Sequence, residues 1–376
     1  MEKFSAFRDP GTGIQPFLPP VPPSENDLWS TLLAPVRVTF AVSRSLVVML
    51  IAVLHFILAN VLCTLLTPVP PLHRLVEEAS TRTLSRLALF VLGFLWIPEE
   101  KVARKRGNLS DNSWSPKAGD IIVSNWSSWI DILWLSYRFN PIFILPIAEG
   151  PEPSVSPAPD GETVSYRPGR KMGTGSAAIS APARTISPRL PICGFRRMSL
   201  LSMIRATGRT PQSPSSSSFT SLEDIRQSAG RPVVVFPECT TSNGRGLLRF
   251  ARVFEGYNVP VKECNVFIMC TRYNPPTIFQ PSLTHSIPSS ALNPLYHLFT
   301  IAGALSPQSM AVRMLPLSES PSSQLFVVSE VVPDLVVDTL SEVCAILIAR
   351  IGKMKRIGLG WEDKVSFLDL FSGRRK

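Results

Sequence analysis

The strongest constraint on this chain is a run of 22 residues, Ser45 to Leu66, that contains no Lys, Arg, Asp or Glu. As a helix rising 1.5 Å per residue it would extend roughly 33 Å, enough for a hydrocarbon core of ~30 Å. Arg37 and Arg44 precede it, and Pro68, Pro70 and Pro71 stop it. That length, apolarity and arginine flank read as a membrane helix rather than a buried core helix. A second segment, residues 72–98, opens amphipathic with Arg74, Glu77, Glu78, Arg82 and Arg86, then closes apolar. Its uncharged part, from Leu87 to Pro98, is too short to span a bilayer. An interfacial or re-entrant helix is expected there, with Trp96 at the headgroup level. Lys101, Arg104, Lys105 and Arg106 follow, so the positive-inside rule puts the remainder in the cytosol. Residues 36–106 are thus expected to form an N-terminal membrane-anchoring helix pair, by a hairpin or a monotopic anchor.

Proline is the second constraint. The chain has 36 prolines in 376 residues, about twice the usual ~5%, and proline interrupts helices and inner strands. Much of the excess lies in two places. Residues 1–35 hold Pro10, Pro16, Pro19, Pro20, Pro22, Pro23 and Pro35, and are expected to be a disordered arm. Residues 149–189 hold seven prolines and one aromatic residue, Tyr166, which predicts a low-complexity insertion. No apolar run follows Met1 at signal-peptide distance. With only 18% charged residues and 45% hydrophobic ones, the whole chain is not disordered.

Between residues 107 and 340 short apolar runs alternate with helical patterns. Gly119–Ser124, Pro232–Pro237, Val266–Thr271 and Ala311–Pro316 read as buried strands. Trp129–Phe139 and Ser221–Ala229 read as helices, and residues 341–376 as a C-terminal helix with a basic tail. The alternation predicts an α/β fold: a twisted sheet flanked by helices. The six cysteines form no C-x-x-C pair and do not cluster with the four histidines, so no metal site is expected and the thiols read as reduced.

Two stretches place polar residues where a predicted strand ends, the usual ligand edge of an α/β sheet. One runs Ser124-Asn125-Trp126-Ser127-Ser128-Trp129-Ile130-Asp131; the other is Val235-Phe236-Pro237-Glu238-Cys239-Thr240-Thr241-Ser242-Asn243-Gly244. Together they resemble the motifs of the glycerophospholipid acyltransferase superfamily, Asn-His-x4-Asp and Phe-Pro-Glu-Gly-Thr. Asn125 and Asp131 match the first in register, with Trp126 at the histidine position. Phe236, Pro237, Glu238 and Thr240 match the second, with Cys239 in place of glycine. Leu247–Phe250, Val259–Val261 and Val312–Leu317 extend the resemblance, which is strongest to fungal lysophosphatidic acid:oleoyl-CoA acyltransferase-like proteins, also linked to vacuolar protein sorting.

The resemblance implies acyl transfer from acyl-CoA, as co-substrate with no bound cofactor, to the hydroxyl of a lysophospholipid. Lysophosphatidic acid is the leading acceptor. In the family the histidine takes the hydroxyl proton and the aspartate orients it. An indole N–H only donates, and a general base contributes ~10²–10⁴-fold. Three readings therefore stay open: Asp131 acts as base, directly or through a water; His285 or His297 folds into the site; or the chain is a non-catalytic homologue that binds lipid in membrane traffic.

The remaining residues are assigned to substrate. Asn125, Glu238, Thr240, Thr241, Asn243 and Gly244 are expected near the acceptor's phosphate or glycerol, where hydroxyls and free backbone N–H groups suit an anion. Arg209, after Gly208, is the candidate for the acceptor phosphate, in competition with Arg196, Arg197 and Arg205. From Tyr166 to Arg209 there are nine Lys+Arg and no acidic residue, a field that attracts phosphates or anionic lipid. No aromatic interleaving accompanies these arginines, so nucleic acid is not the expected partner. The resemblance and the anchor place the protein at the endoplasmic reticulum membrane or lipid droplets, with its site facing the cytosol.

Overall fold

The computed structural model describes residues 4–22, 32–59, 70–103, 114–148, 187–212, 219–332 and 337–373. Most of the predicted insertion at 149–189 lies outside the described residues. Two long helices come first, α1 (Ala34–Ile57) and α2 (Pro70–Val91). There follow β1 (Glu99–Lys101), β2 (Ile121–Ser124), α3 (Trp129–Phe139), β3 (Ile142–Ala148), β4 (Ile192–Met198), α4 (Leu200–Ala206) and α5 (Leu222–Gln227). Then come β5 (Val233–Val235), β6 (Gly246–Leu247), β7 (Val266–Tyr273), α6 (Leu295–Ala302), β8 (Met310–Met314), α7 (Thr339–Gly352), β9 (Lys355–Arg356) and α8 (Trp361–Ser372).

Seven strands form one mixed sheet in the order β1-β8-β7-β2-β5-β3-β4. The inner pairs β7–β2, β2–β5 and β5–β3 are parallel; β8 and β4 run antiparallel to β7 and β3. Parallel inner strands are covered on both faces, hence the continuous β-branched runs Ile-Ile-Val and Val-Val-Val. Alternate side chains enter opposite layers. Ile121, Val123, Val233 and Val235 pack with Leu340, Val343 and Leu347 of α7. Ile122, Val234 and Phe267 pack with α3, with Leu84, Ala88 and Leu89 of α2, and with Leu298 of α6. The α/β class and a helix-flanked sheet are as expected, and the register Ile121↔Val233, Val123↔Val235 sets the C-terminal ends of β2 and β5 side by side.

Four domain assignments need correction. The apolar helix begins at Ala34, not Ser45, with Pro35 in its first turn, and is described to Ile57. Its 24 residues are long and apolar enough to cross a membrane. Arg44 lies inside it, donating from Nη1 to the carbonyls of Ala302 and Ala304 at the end of α6. The helix expected at 72–98 ends at Val91, because the chain turns at Gly93 (φ +97°). Its apolar stripe covers the sheet, while Glu77 pairs with Arg231. The sheet also takes β1 from the segment expected to belong to the anchor, pairing Glu99–Lys101 with β8.

The N-terminal arm is the third correction. Phe7 and Phe17 are buried, packing on Phe367 of α8 at ring-centroid distances of 5.2 and 5.5 Å. Of the arm expected over residues 1–35, residues 4–22 form a docked strap, because their aromatics have a receiving cluster, while 1–3 and 23–31 lie outside the described residues. The C-terminal region, fourth, contains two helices, both built into the core through Leu347, Trp361 and Phe367. Replacing Phe17 by Ala is expected to cost about 3 kcal/mol, the low end for a buried Phe, read as a lower urea midpoint in the full chain. An undocked arm would leave that midpoint unchanged.

Candidate active site

The loop after β2 and the loop after β5 meet over the shared C-terminal edge of the two strands. Ser128 caps α3, its side chain accepting from the N–H of Ile130, and Asp131 completes a capping box. Asp131 Oδ2 accepts the N–H groups of Ser127 and Ser128, both at 2.9 Å, while the Tyr273 hydroxyl donates to Oδ1. Asp131 is fully buried, and burial raises its pKa against the pull of these donors. Asn125 grips the neighbouring strand: its Oδ1 accepts from the Thr271 N–H (2.8 Å) and its Nδ2 donates to the Thr271 carbonyl (3.0 Å).

Trp126 points into the core. Its ring is fully buried and stacks on Phe236 of the second loop at 5.0 Å and 23°, and its indole N–H has no partner. Its backbone carries the junction between loops: the N–H donates to Glu238 Oε2 (2.7 Å), and the carbonyl accepts from Ser242. Glu238 Oε1 accepts from the Leu248 N–H at 2.9 Å. Burial pushes this carboxyl up to about 8, and the two backbone donors oppose the shift. Cys239 stands at φ +58°, a left-handed conformation that costs an L residue roughly 1–2 kcal/mol; the resemblance puts glycine at this position.

The hydroxyls expected to meet substrate are engaged by protein. Thr240 Oγ1 donates to the Arg209 carbonyl (2.8 Å), and Thr241 Oγ1 donates to the His285 carbonyl. Beneath them sits a residue the sequence did not flag. Lys364 of α8 is fully buried, donating from Nζ to Thr240 Oγ1 (2.8 Å) and the Thr241 carbonyl (2.7 Å). Burial lowers its pKa, opposed by the charge of Glu238. Asn243 holds the strap, donating from Nδ2 to the carbonyls of Gln15 and Leu18. Gly244 takes φ +70°, with Ser127 Oγ only 3.5 Å from where a Cβ would stand.

Two further groups border these loops. The Arg209 side chain is exposed and makes no ion pair among the described residues, although its carbonyl is anchored to the second loop. His285 also borders both loops, its N–H donating to the Ser127 carbonyl at 2.8 Å. Its ring stacks on His297 at 4.7 Å, and His297 accepts from the indole N–H of Trp129 at 2.9 Å. Of the competing arginines, Arg197 donates to Ser228 and Arg196 to Gln212, away from these loops. Sequence gave no signal for Lys364, Tyr273 or Asn293, which are single residues in unremarkable contexts.

An apolar cavity of about 440 Å³ adjoins the site, a size typical of ligand pockets. One wall is α1 (Val48, Ala52, Phe56); Ala88 of α2, Leu133 of α3 and Ile204 of α4 contribute others. Trp129, Arg205 and Asn293 also line it, bringing it next to the first loop and the histidine pair. Among the described residues no group of His, Cys, Asp and Glu could hold a metal ion.

Replacing Glu238 by Gln leaves one buried backbone N–H facing an amide nitrogen, at a cost of about 1–3 kcal/mol. The pH dependence has a definite sign. Between its ordinary value of 4.5 and about 8, folded Glu238 keeps a proton that the unfolded chain has released. Its contribution to stability therefore falls as pH rises through that window. Denaturant titrations across it are expected to show a flatter slope in Glu238→Gln than in wild type.

No family model matches the chain, and no solved structure matches it. Over 373 residues, 98% of each protein, it is 25% identical to a Schizosaccharomyces pombe protein named "Putative lysophosphatidic acid:oleoyl-CoA acyltransferase". That similarity takes in both loops and supports a relationship to an acyltransferase.

Proposed function

We propose that the chain is an acyl-CoA-dependent acyltransferase that esterifies the free hydroxyl of a lysophospholipid, with lysophosphatidic acid as acceptor and phosphatidic acid as product. The observation that carries this reading is the apolar cavity that Trp129 of the first motif loop helps to line. Its lining suits an acyl chain, and Trp129, at the start of α3, connects it to the first motif loop. Arg209, exposed and tethered through its carbonyl to Thr240, is the group for the acceptor phosphate. The name of the fission-yeast protein supports the same chemistry.

In this reading Asn125, Asp131, Glu238, Thr240, Thr241 and Asn243 hold the loops in place, and Trp126 fills the space under them. No metal or bound cofactor takes part. The exposed face of α1, with Leu46, Leu50 and Phe56, rests in lipid, at the endoplasmic reticulum or lipid droplets, with the site on the cytosolic side. A second reading draws on Trp126, whose ring is sealed in the core: a non-catalytic homologue that binds lipid in membrane traffic.

The test is acyl transfer from labelled oleoyl-CoA to a series of lysophospholipids by the purified full chain in mixed micelles. Arg209→Ala is expected to raise the acceptor KM about tenfold, as loss of a charged hydrogen bond would. Ala52→Phe fills the cavity and is expected to lower kcat/KM for oleoyl-CoA about tenfold or more, with butanoyl-CoA little affected. Lipid binding without transfer to any acceptor would establish the second reading instead.

A further inference from the structure

We propose that His285 is the general base of the acyl transfer, held by Asn293, and that it replaces the histidine missing from the loop after β2. The assignment rests on the acyltransferase reading above. It begins with elimination among groups near the two loops. Trp126 has no lone pair to accept a proton. Asp131 is fully buried with three donors on its two oxygens. His297 has both nitrogens engaged: Nδ1 accepts from Trp129, and Nε2 bonds the Ser282 carbonyl at 2.9 Å, so Nε2 carries the proton.

His285 differs at one atom. Its Nε2 lies 2.7 Å from Asn293 Oδ1. The orientation of that amide is fixed, since Asn293 Nδ2 donates to the carbonyls of Arg205 (3.0 Å) and Thr207 (2.8 Å), while Oδ1 also accepts from the Ser289 N–H. Nε2 of His285 must therefore be the protonated nitrogen, leaving the lone pair on Nδ1. Nδ1 has no hydrogen-bond partner among the described residues and is not one of the sealed polar atoms left without one. The imidazole is thus a positioned acceptor with an open valence, its tautomer set by an asparagine.

The surroundings match the reaction. The backbone of His285 is tied to both motif loops, through the Ser127 carbonyl and the Thr241 hydroxyl. Asn293 bonds the imidazole and also lines the apolar cavity, so the base stands one residue behind the cavity wall. Arg209 joins the same cluster through Thr240, and Gly208 packs against Pro288, three residues from His285. Burial holds the imidazole down to about 4, with Asn293 opposing and the charge of Lys364 adding, so the ring is neutral near pH 7 and its lone pair is free.

In the step, the acceptor hydroxyl gives its proton to Nδ1 as its oxygen bonds to the thioester carbonyl carbon. The tetrahedral intermediate then breaks its C–S bond, and the departing coenzyme A sulfur recovers the proton from Nδ1. Ester and free thiol are the only products, and the imidazole returns neutral. Asn293 is a positioning residue, since it touches the base rather than the reacting atoms.

The experiment compares wild type, His285→Gln and His285→Ala as full chains in the micelle assay, with oleoyl-CoA and lysophosphatidic acid. Both variants are expected to lose about 10²–10⁴-fold in kcat, with acceptor KM within about threefold. Added imidazole is expected to restore part of the His285→Ala rate and none of the His285→Gln rate, because only the former leaves room for the free base. Rates near wild type in either variant, or a loss that imidazole does not restore in His285→Ala, overturn the assignment while leaving the acyltransferase reading intact. A wild type that transfers no acyl group overturns both.

Discussion

A single buried carboxyl holds the site together. Glu238 receives the backbone N–H of Trp126 from one loop and that of Leu248 from another segment. Without it, two buried donors would lack acceptors, each at a cost of about 1–3 kcal/mol. Lys364 lies close enough for its charge to act on Glu238, and its Nζ secures Thr240 and Thr241. Helix α8 thereby becomes part of the site's floor, although it is the last helix in the chain. The strap closes the other side, where Asn243 grasps Gln15 and Leu18. The strap and α8 thus converge on the loop that follows β5.

This arrangement separates two jobs that the motif residues were expected to share. Asn125, Asp131, Glu238, Thr240, Thr241 and Asn243 spend their polar atoms on backbone or on one another. They build a rigid edge. The groups left over come from elsewhere: the exposed guanidinium of Arg209 and the buried imidazole of His285, each fastened to that edge through its main chain. Trp126 belongs to the first group. Stacked on Phe236, it fills the volume between the two loops, and a smaller residue there would open a cavity whose cost grows with the lost contacts.

Much of this was legible in the residues, for identifiable reasons. Ile121–Ser124 and Val233–Val235 are β-branched runs, and Ser128-x-x-Asp131 before an apolar stretch is a capping-box signature. Edge strand β4 carries no clear strand pattern because Gly194, Arg196 and Arg197 break it, and β3 carries none because Pro146 sits inside it. Proline content outweighed Phe4, Phe7 and Phe17 in the arm, although three aromatics in a short polar stretch were the available hint of docking. Helix α8 hides a lysine that is fully buried, against every composition rule. The roles of Glu238 and Asn293 come from tertiary neighbours that no local pattern encodes.

Helix α1 links the last two features, the apolar surface and the cavity. An independent membrane span would be free of the domain. This helix instead buries Ala41, Val48 and Ile51 against it and exposes Leu46, Leu50, Phe56 and Ile57 on its other faces. Arg44 fastens the same helix to the end of α6 through two carbonyls. Because α1 supplies one wall of the cavity, whatever orders α1 also shapes the cavity. A bilayer that receives the exposed face adds about 25 cal/mol for each Å² of apolar surface removed from water. That gain would fall on the helix that lines the cavity, so the order of α1 and the shape of the cavity are coupled.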